Sequence, residues 1–294
     1  MSRLIKTWQT PEIWDGHSVK AFLFDHARFS RQLFKRVKEE GKVLVNNRTT
    51  ELWRPLKMHD KVTVHFPIEK RGERIFPEEG PLSIVYEDED LIVIDKPAGL
   101  AVTPSIDRTK TSVANRLLHY YDEKGITSTV HIVTRLDRDT SGLMVVAKHA
   151  YSHMMMTKKM KLVNRRYKAL VHGVISQDEG LIDEPIARSE GSIIRRKVSS
   201  EGKASQTLFH TEERYEAFTL VGLELLTGRT HQIRVHMAYI GHPLAGDTLY
   251  GGTEMEFLTG QALHCHSVEF IHPWTKEKML FTSDLPASWR KFRT

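Results

Sequence analysis

The stretch HIVTRLDRDTSGLMVVAK, from His131 to Lys148, is where acidic, basic and hydroxyl side chains crowd together in a way that could support chemistry. A strand-like start at His131 to Val133 is interrupted by Arg135, Asp137, Arg138, Asp139, Thr140 and Ser141 before LMVVA resumes an apolar run. Asp137 is thereby expected in a turn between two anchored segments, a place from which rigid scaffolds commonly present reacting groups. Residue types alone leave two readings open, a reactive carboxylate and a salt-bridged turn. A second dense stretch, LTGRTHQIRVHMAYIGHPLAGDTLYG from Leu226 to Gly251, supplies Arg229, His231 and Arg234. Its centre, THQIRVHMAYI, reads as a helix with Ile233, Met237 and Ile240 inward and Arg229 just before its start. A solvated basic helix end has the same composition, so this stretch is also undecided on pattern alone.

Several other chemistries find little support. The trio His264-Cys265-His266 alternates along an apparent strand, but no second cluster has zinc-ligand spacing, so no metal is expected. Asp137 and Asp139 lie two residues apart in one turn, unlike the carboxylates of a glycosidase, which flank the scissile bond across a cleft. There is no GxxxxGK loop for a nucleoside triphosphate. Met154 to Met156 and Met160, on a predicted helix, read as core filler.

The elements that must hold these residues fall into two groups. In the first, SRQLFKRVKEE predicts a helix capped by Ser30, with Leu33, Phe34 and Val37 as its apolar stripe and Gly41 at its end. Arg28, Arg31, Lys35 and Lys38 follow spacings of three and four and share one side of that helix or its approach. The strand VLV at 43 to 45, an Asn46-Asn47 turn and a strand at Val62 to Phe66 come next. A polar stretch at 69 to 81 reads as a linker. The second group, 82 to 294, opens with SIVYEDEDLIVIDKPAGL and interleaves strands such as LMVVAK, YKALVHG and FTLVGLELL with helices near 112 to 123 and 149 to 161. Runs of strands with a few inserted helices predict an α+β fold with a large mixed or antiparallel β-sheet flanked by helices and loops.

Charge divides along the same line. Residues 1 to 76 hold 16 Lys or Arg against 9 Asp or Glu, so the net charge of +6 leaves the remainder near −1. A cationic helix beside a small sheet suits a phosphate backbone, whereas an ordinary solvated surface is the plainer reading. The 294 residues contain no apolar run of about eighteen residues, the length a membrane span needs. The start has no apolar core or cleavage site of a secretory signal, and Cys265 is the single cysteine. These features point to a reducing cytoplasm.

Over roughly residues 16 to 66, SRQLFKRVKEEGKVLVNNR and DKVTV resemble the S4 RNA-binding module, although Val19-Lys20-Ala21-Phe22-Leu23 stands where that pattern usually opens with Arg-Leu-Asp. The larger part resembles the pseudouridine synthase family typified by the ribosomal RNA enzymes that carry an S4 domain. The resemblance rests on IDKPAGL at 94 to 100, RLDRDTSGL at 135 to 143, RRYKALVHG at 165 to 173 and TGRTHQIRVHMAYIGHPLAGDTLYG at 227 to 251. These motifs stand in the expected order over residues 82 to 285, with one departure at Thr134, where many members carry His. The domain layout it implies is an S4-like α/β RNA-binding unit at 1 to 68, a linker at 69 to 81 and a catalytic domain at 82 to 294.

The resemblance implies that Asp137 is the nucleophile, Tyr167 the active-site tyrosine and Arg229 the partner of the Asp137 carboxylate. It also implies RNA as the partner, ribosomal or transfer, held by Arg28, Arg31, Lys35, Lys38, Arg135 and Arg165. The reaction breaks the bond between uracil N1 and ribose C1′, turns the base and rejoins it through C5. No electrons or water are gained, so no cofactor is needed. A guanidinium within about 4–6 Å would keep the carboxylate ionised and nucleophilic. The target base must leave its stack at a cost of a few kcal/mol. Basic segments KKMK at 158 to 161, NRRYK at 164 to 168 and RRK at 195 to 197 are expected to offset part of that cost through phosphate contacts. A monomer is the simpler expectation. The rival reading is a non-catalytic RNA-binding or ribosome-assembly protein on the same fold.

Overall fold

The computed structural model describes residues 4–72, 75–104, 111–158 and 163–292. Lys159, Met160 and Lys161 lie outside the described residues.

The first unit is a four-stranded antiparallel sheet in the order β1-β4-β2-β3, with β1 at Ile5–Gln9, β2 at Lys42–Val45, β3 at Arg48–Thr49 and β4 at Lys61–His65. Asn46 and Asn47 turn β2 into β3 with φ of 51° and 63°, as that dipeptide predicts. A short helix, α1 at Val19–Ala21, runs into a π-helical turn, Phe22–His26, and α2 follows at Arg31–Glu40. Ser30 caps α2 by accepting the Leu33 N–H. Leu33 and Val37 face the sheet, while Arg31, Lys35 and Lys38 are exposed. Val19, Phe22 and Leu23, in place of the Arg-Leu-Asp of the S4 pattern, are wholly buried in the core of this unit.

The second unit holds β5 (Ser83–Glu87), β6 (Leu91–Lys96), β7 (His131–Ile132), β8 (Ser141–Ala147), β9 (Asn164–His172), β10 (Glu179–Asp183), β13 (Gln206–Arg214), β14 (Phe218–Leu225), β15 (Leu263–Ile271) and β16 (Lys278–Thr282) in a ten-stranded sheet of order β10-β13-β14-β9-β15-β8-β6-β5, with β16 on β15 and β7 on β8, while β11 (Ile186–Arg188) and β12 (Arg196–Val198) pair apart from it. The strands that matter for the site are β6, β7, β8, β9, β14 and β15. β8 pairs parallel with β15, His264 opposite Ser141, and antiparallel with β6. Every residue of SGLMVVA is buried, which is why it reads as a continuous apolar run and not as an alternating one. Its period of two still sorts the side chains. Met144 and Val146 join the core under α3 (Val113–Glu123), whereas Leu143 and Val145 join that under Phe270 and Val268.

The described residues of the stretch expected as a linker, 69–72 and 75–81, are tied to the second unit. Glu69 accepts from Ala150 N–H and His131, Arg71 donates to the carbonyls of Ile126 and Ser128, and Asn115 donates to the Phe76 carbonyl. The two units also share a core. Tyr151, on α4 (Ala150–Lys158), packs among Phe29, Phe66 and Trp8 and donates its hydroxyl proton to the Ala27 carbonyl. Lys6 and Asp90, both almost fully buried, pair at 2.7 Å across the junction, and the ring of Trp274 stacks over the Lys6 ammonium.

Candidate active site

Asp137 sits in the turn between β7 and β8, and each neighbouring residue pins that turn. The Asp137 carbonyl accepts the Thr140 N–H, Thr140 Oγ1 accepts from Gln261, and Ser141 bonds His264 on β15. Gly142 has φ of 104°, and a Cβ there would lie 2.3 Å from the Cys265 carbonyl, so only glycine lets β8 and β15 approach so closely behind the turn. Thr134, the departure from the family pattern, has a structural task. Its hydroxyl accepts the Val145 N–H at 2.8 Å and closes the ladder where β7 leaves β8. From below, Lys96 of IDKPAGL is fully buried and donates to the carbonyls of Pro97, Leu100 and Arg138. Burial pulls its ammonium down to about 8, against the opposing pull of Asp139 and Asp137.

Tyr167 reaches the same cleft from β9, where its register partners are Leu223 on β14 and Cys265 on β15. It is buried, and that burial raises the phenol well above its ordinary value, so the hydroxyl stays protonated. The Cys265 thiol behind it is likewise pushed up to about 12 by burial and stays unreactive.

The arginine against Asp137 is Arg234, not Arg229. Arg234, on α5 (Gln232–Tyr239), grips Asp247 through Nε and Nη2 at 2.7 and 2.8 Å and sets Nη1 3.4 Å from Asp137 Oδ2. Burial opposes its charge, but the bidentate pair with fully buried Asp247 keeps it ionised. Arg229 is exposed in the preceding loop and donates Nε to the Ala204 carbonyl. The reason is local. Gln232 accepts from Thr227 and the Arg229 N–H and donates to Gln206 and Thr207, which fixes the loop along the wall of the cleft with the Arg229 side chain bonded to Ala204 and not to Asp137. His231 then takes a left-handed conformation, φ 58°, and α5 starts only at Gln232, which turns Arg234 inward. His231 also lies near the carboxylate, with Nε2 3.8 Å from Asp137 Oδ2.

Asp137, Tyr167, Arg234, Arg135, Arg165 and Arg229 all line one cleft of about 770 Å³, with Leu136, Ile233 and Leu263 as its apolar wall. That is room for a nucleotide-sized ligand. Arg165 Nε is buried with no hydrogen-bond partner among the described residues. Arg166 and Lys168, on the other face of β9, pair with Glu224 and Glu212, and Lys197 pairs with Glu190. Arg28, Arg31, Lys35 and Lys38 belong to the first unit and do not line the cleft. Among the described residues no group of three His, Cys, Asp or Glu side chains is placed to hold a metal. No helix among them is long and apolar enough to cross a membrane.

Residues 90–239 match the family model described as RNA pseudouridylate synthase. The uncharacterized RNA pseudouridine synthase YjbO of Bacillus subtilis is 46% identical over 253 residues, which cover 85% of this chain and 89% of that one. The ribosomal large subunit pseudouridine synthase D of Vibrio cholerae is 39% identical over 274 residues, 88% of this chain and 84% of that one. Among solved structures, human RNA pseudouridylate synthase domain containing 1 superposes with a TM-score of 0.58 at 26% identity, covering 72% of this chain and 90% of that one. A pinned carboxylate, a buried tyrosine and an inward arginine in one nucleotide-sized cleft accompany these likenesses: the chain belongs to the RNA pseudouridine synthase family and is an isomerase.

Proposed function

We propose that this enzyme isomerises specific uridines in structured RNA, ribosomal RNA first, with Asp137 as its nucleophile. The observation that carries the proposal is the Asp137 carboxylate, part-exposed to the cleft and faced by Arg234 and Tyr167. Asp137 bonds to ribose C1′ as the N1–C1′ bond breaks, and the electron pair leaves with the uracil. Tyr167 offers its ring face to the detached base and, being protonated, can donate a hydrogen bond but not take a proton. The base turns, C5 displaces the carboxylate from C1′, the C5 proton departs and N1 gains one. The ribosomal choice rests on the relatives named for large-subunit RNA.

Arg135 and Arg165 are proposed to hold phosphates at the cleft. The first unit is proposed to be an S4-like domain that grips RNA through Arg28, Arg31, Lys35 and Lys38. The same reading has a monomer acting in the cytoplasm without metal or cofactor, because the isomerisation moves neither electrons nor water. The test is tritium release from cellular RNA labelled at uracil C5. Wild type should release it and Asp137→Ala should not; equal release by the two would remove Asp137 from the mechanism.

A further inference from the structure

The GDTLYG segment that follows α5 contains Tyr250, a residue for which the reaction as described has no use. Residues Thr248–Tyr250 form a single 3-10 turn that brings the Tyr250 side chain, 8% exposed, up under the cleft. Two contacts decide what it does. Its hydroxyl lies 2.8 Å from His231 Nδ1 and accepts the Arg196 backbone N–H at 3.0 Å. Its ring lies 5.0 Å from the guanidinium carbon of Arg234.

A phenol has one proton to give. The Arg196 N–H occupies one oxygen lone pair, and donating the phenol's own proton to His231 Nδ1 gives it a partner and makes Nδ1 the unprotonated nitrogen. The proton of the imidazole is left on Nε2, and Nε2 is the atom that faces Asp137 Oδ2 at 3.8 Å. The left-handed backbone at His231, sparsely populated for a residue other than glycine, is held at a functional position in a way that aims the ring. Arg234 approaches the same oxygen, Oδ2, at 3.4 Å.

We propose that Tyr250 is a positioning residue: its hydroxyl locks His231 as the Nε2–H tautomer and its ring backs Arg234, so both donors converge on Asp137 Oδ2 and leave Oδ1 to attack C1′. The inference rests on the reading of Asp137 as the nucleophile. It is consistent with a neutral imidazole. Burial draws the His231 pKa down, and Arg234 and Arg196 add to that, while Asp137 and Asp247 oppose it.

The tautomer can be read without activity. In the full-length protein with ¹⁵N-labelled histidine, the His231 signals are identified by their loss in His231→Gln. Wild type should show protonated Nε2 and bare Nδ1, and Tyr250→Phe, which keeps the ring but not the hydroxyl, should lose that preference. In single-turnover tritium release, Tyr250→Phe should slow the reaction roughly 10- to 100-fold, the scale of a misplaced reacting group, with unchanged RNA affinity. Combined with His231→Gln it should be no slower than His231→Gln alone. A wild-type His231 protonated at Nδ1, a wild-type rate in Tyr250→Phe, or additive losses in the double variant would each overturn the proposal. If wild type itself released no tritium, the catalytic reading would fail, while the spectrum would still decide the tautomer.

Discussion

Two arginines five residues apart, Arg229 and Arg234, face different surroundings, and the difference is a matter of where one helix begins. The segment GRTHQIR offers two arginines and a histidine, and its spacing is compatible with any of them pointing inward. Gln232, whose side chain makes four hydrogen bonds to the loop and to β13 (Gln206–Arg214), decides the matter. The resemblance points to Arg229, and no sequence period reports a bond set that would move the expectation to Arg234. Asp137 and Tyr167 were readable because motif order places them, and the structure brings both to one cleft. The corrected pairing has a direct consequence. Arg234→Lys, which cannot hold Asp247 through two nitrogens and reach Asp137 with a third, should lower single-turnover tritium release by about 10²–10³-fold, as loss of a preorganised charge-stabilising donor does. Arg229→Ala should leave the rate within a few-fold of wild type. The reverse ranking would restore Arg229 as the partner.

Local chemistry announced most elements. Ser30 before an amphipathic run marks α2, the Asn46-Asn47 pair marks its turn, and the apolar run LMVVA marks a central strand. What local pattern does not carry is the parallel pairing of β8 with β15, whose residues lie 123 apart at Ser141 and His264. That pairing depends on Gly142 at a backbone angle that only the assembled sheet demands. The β5–β6 hairpin, with β5 at Ser83–Glu87, carries a titratable clasp in its acidic turn. Burial pushes the Asp88 carboxyl up, but hydrogen bonds from His272, the Leu91 N–H, Tyr86 and the Asp90 N–H outweigh it and hold the group down at about 2. A carboxyl depressed on folding adds stability above its unfolded pKa, ordinarily 3.8, and that stability is lost as the pH falls toward 2. Denaturant unfolding between pH 5 and about 2 should therefore show a stability loss that Asp88→Asn flattens; parallel curves for the two proteins would remove Asp88 as the cause.

At the scale of the whole molecule, the cationic side of α2 and the cleft around Asp137 sit on units joined by a buried junction. A buried ion pair such as Lys6 with Asp90 is weak evidence for net stability, but it fixes one orientation, because any other leaves two charges desolvated and unpaired. Composition predicted the basic unit and not its docking, since nothing local in Lys6 or Trp8 identifies partners at Asp90 and Trp274. Deleting the unit would uncover Tyr151 and Trp274, so substitutions on its surface are the cleaner probe of RNA contact. Changing exposed Arg31, Lys35 and Lys38 together to Ala should reduce the slope of log affinity against log salt by about 2–3, close to one per lost phosphate contact. An unchanged slope would take α2 out of the RNA footprint.

The shared core has a consequence in time as well as in space. The first unit ends near Phe66, but Tyr151, the ring that completes its packing, is translated roughly 85 residues later, a wait of about 4–17 s at ribosomal rates of about 5–20 residues per second. Trp274, which covers Lys6 and Trp8, emerges later still. During that interval a nascent chain carries Trp8, Phe29 and Phe66 without the tyrosine that closes over them, so the junction that orients the finished enzyme is apolar surface left uncovered until the second unit is made.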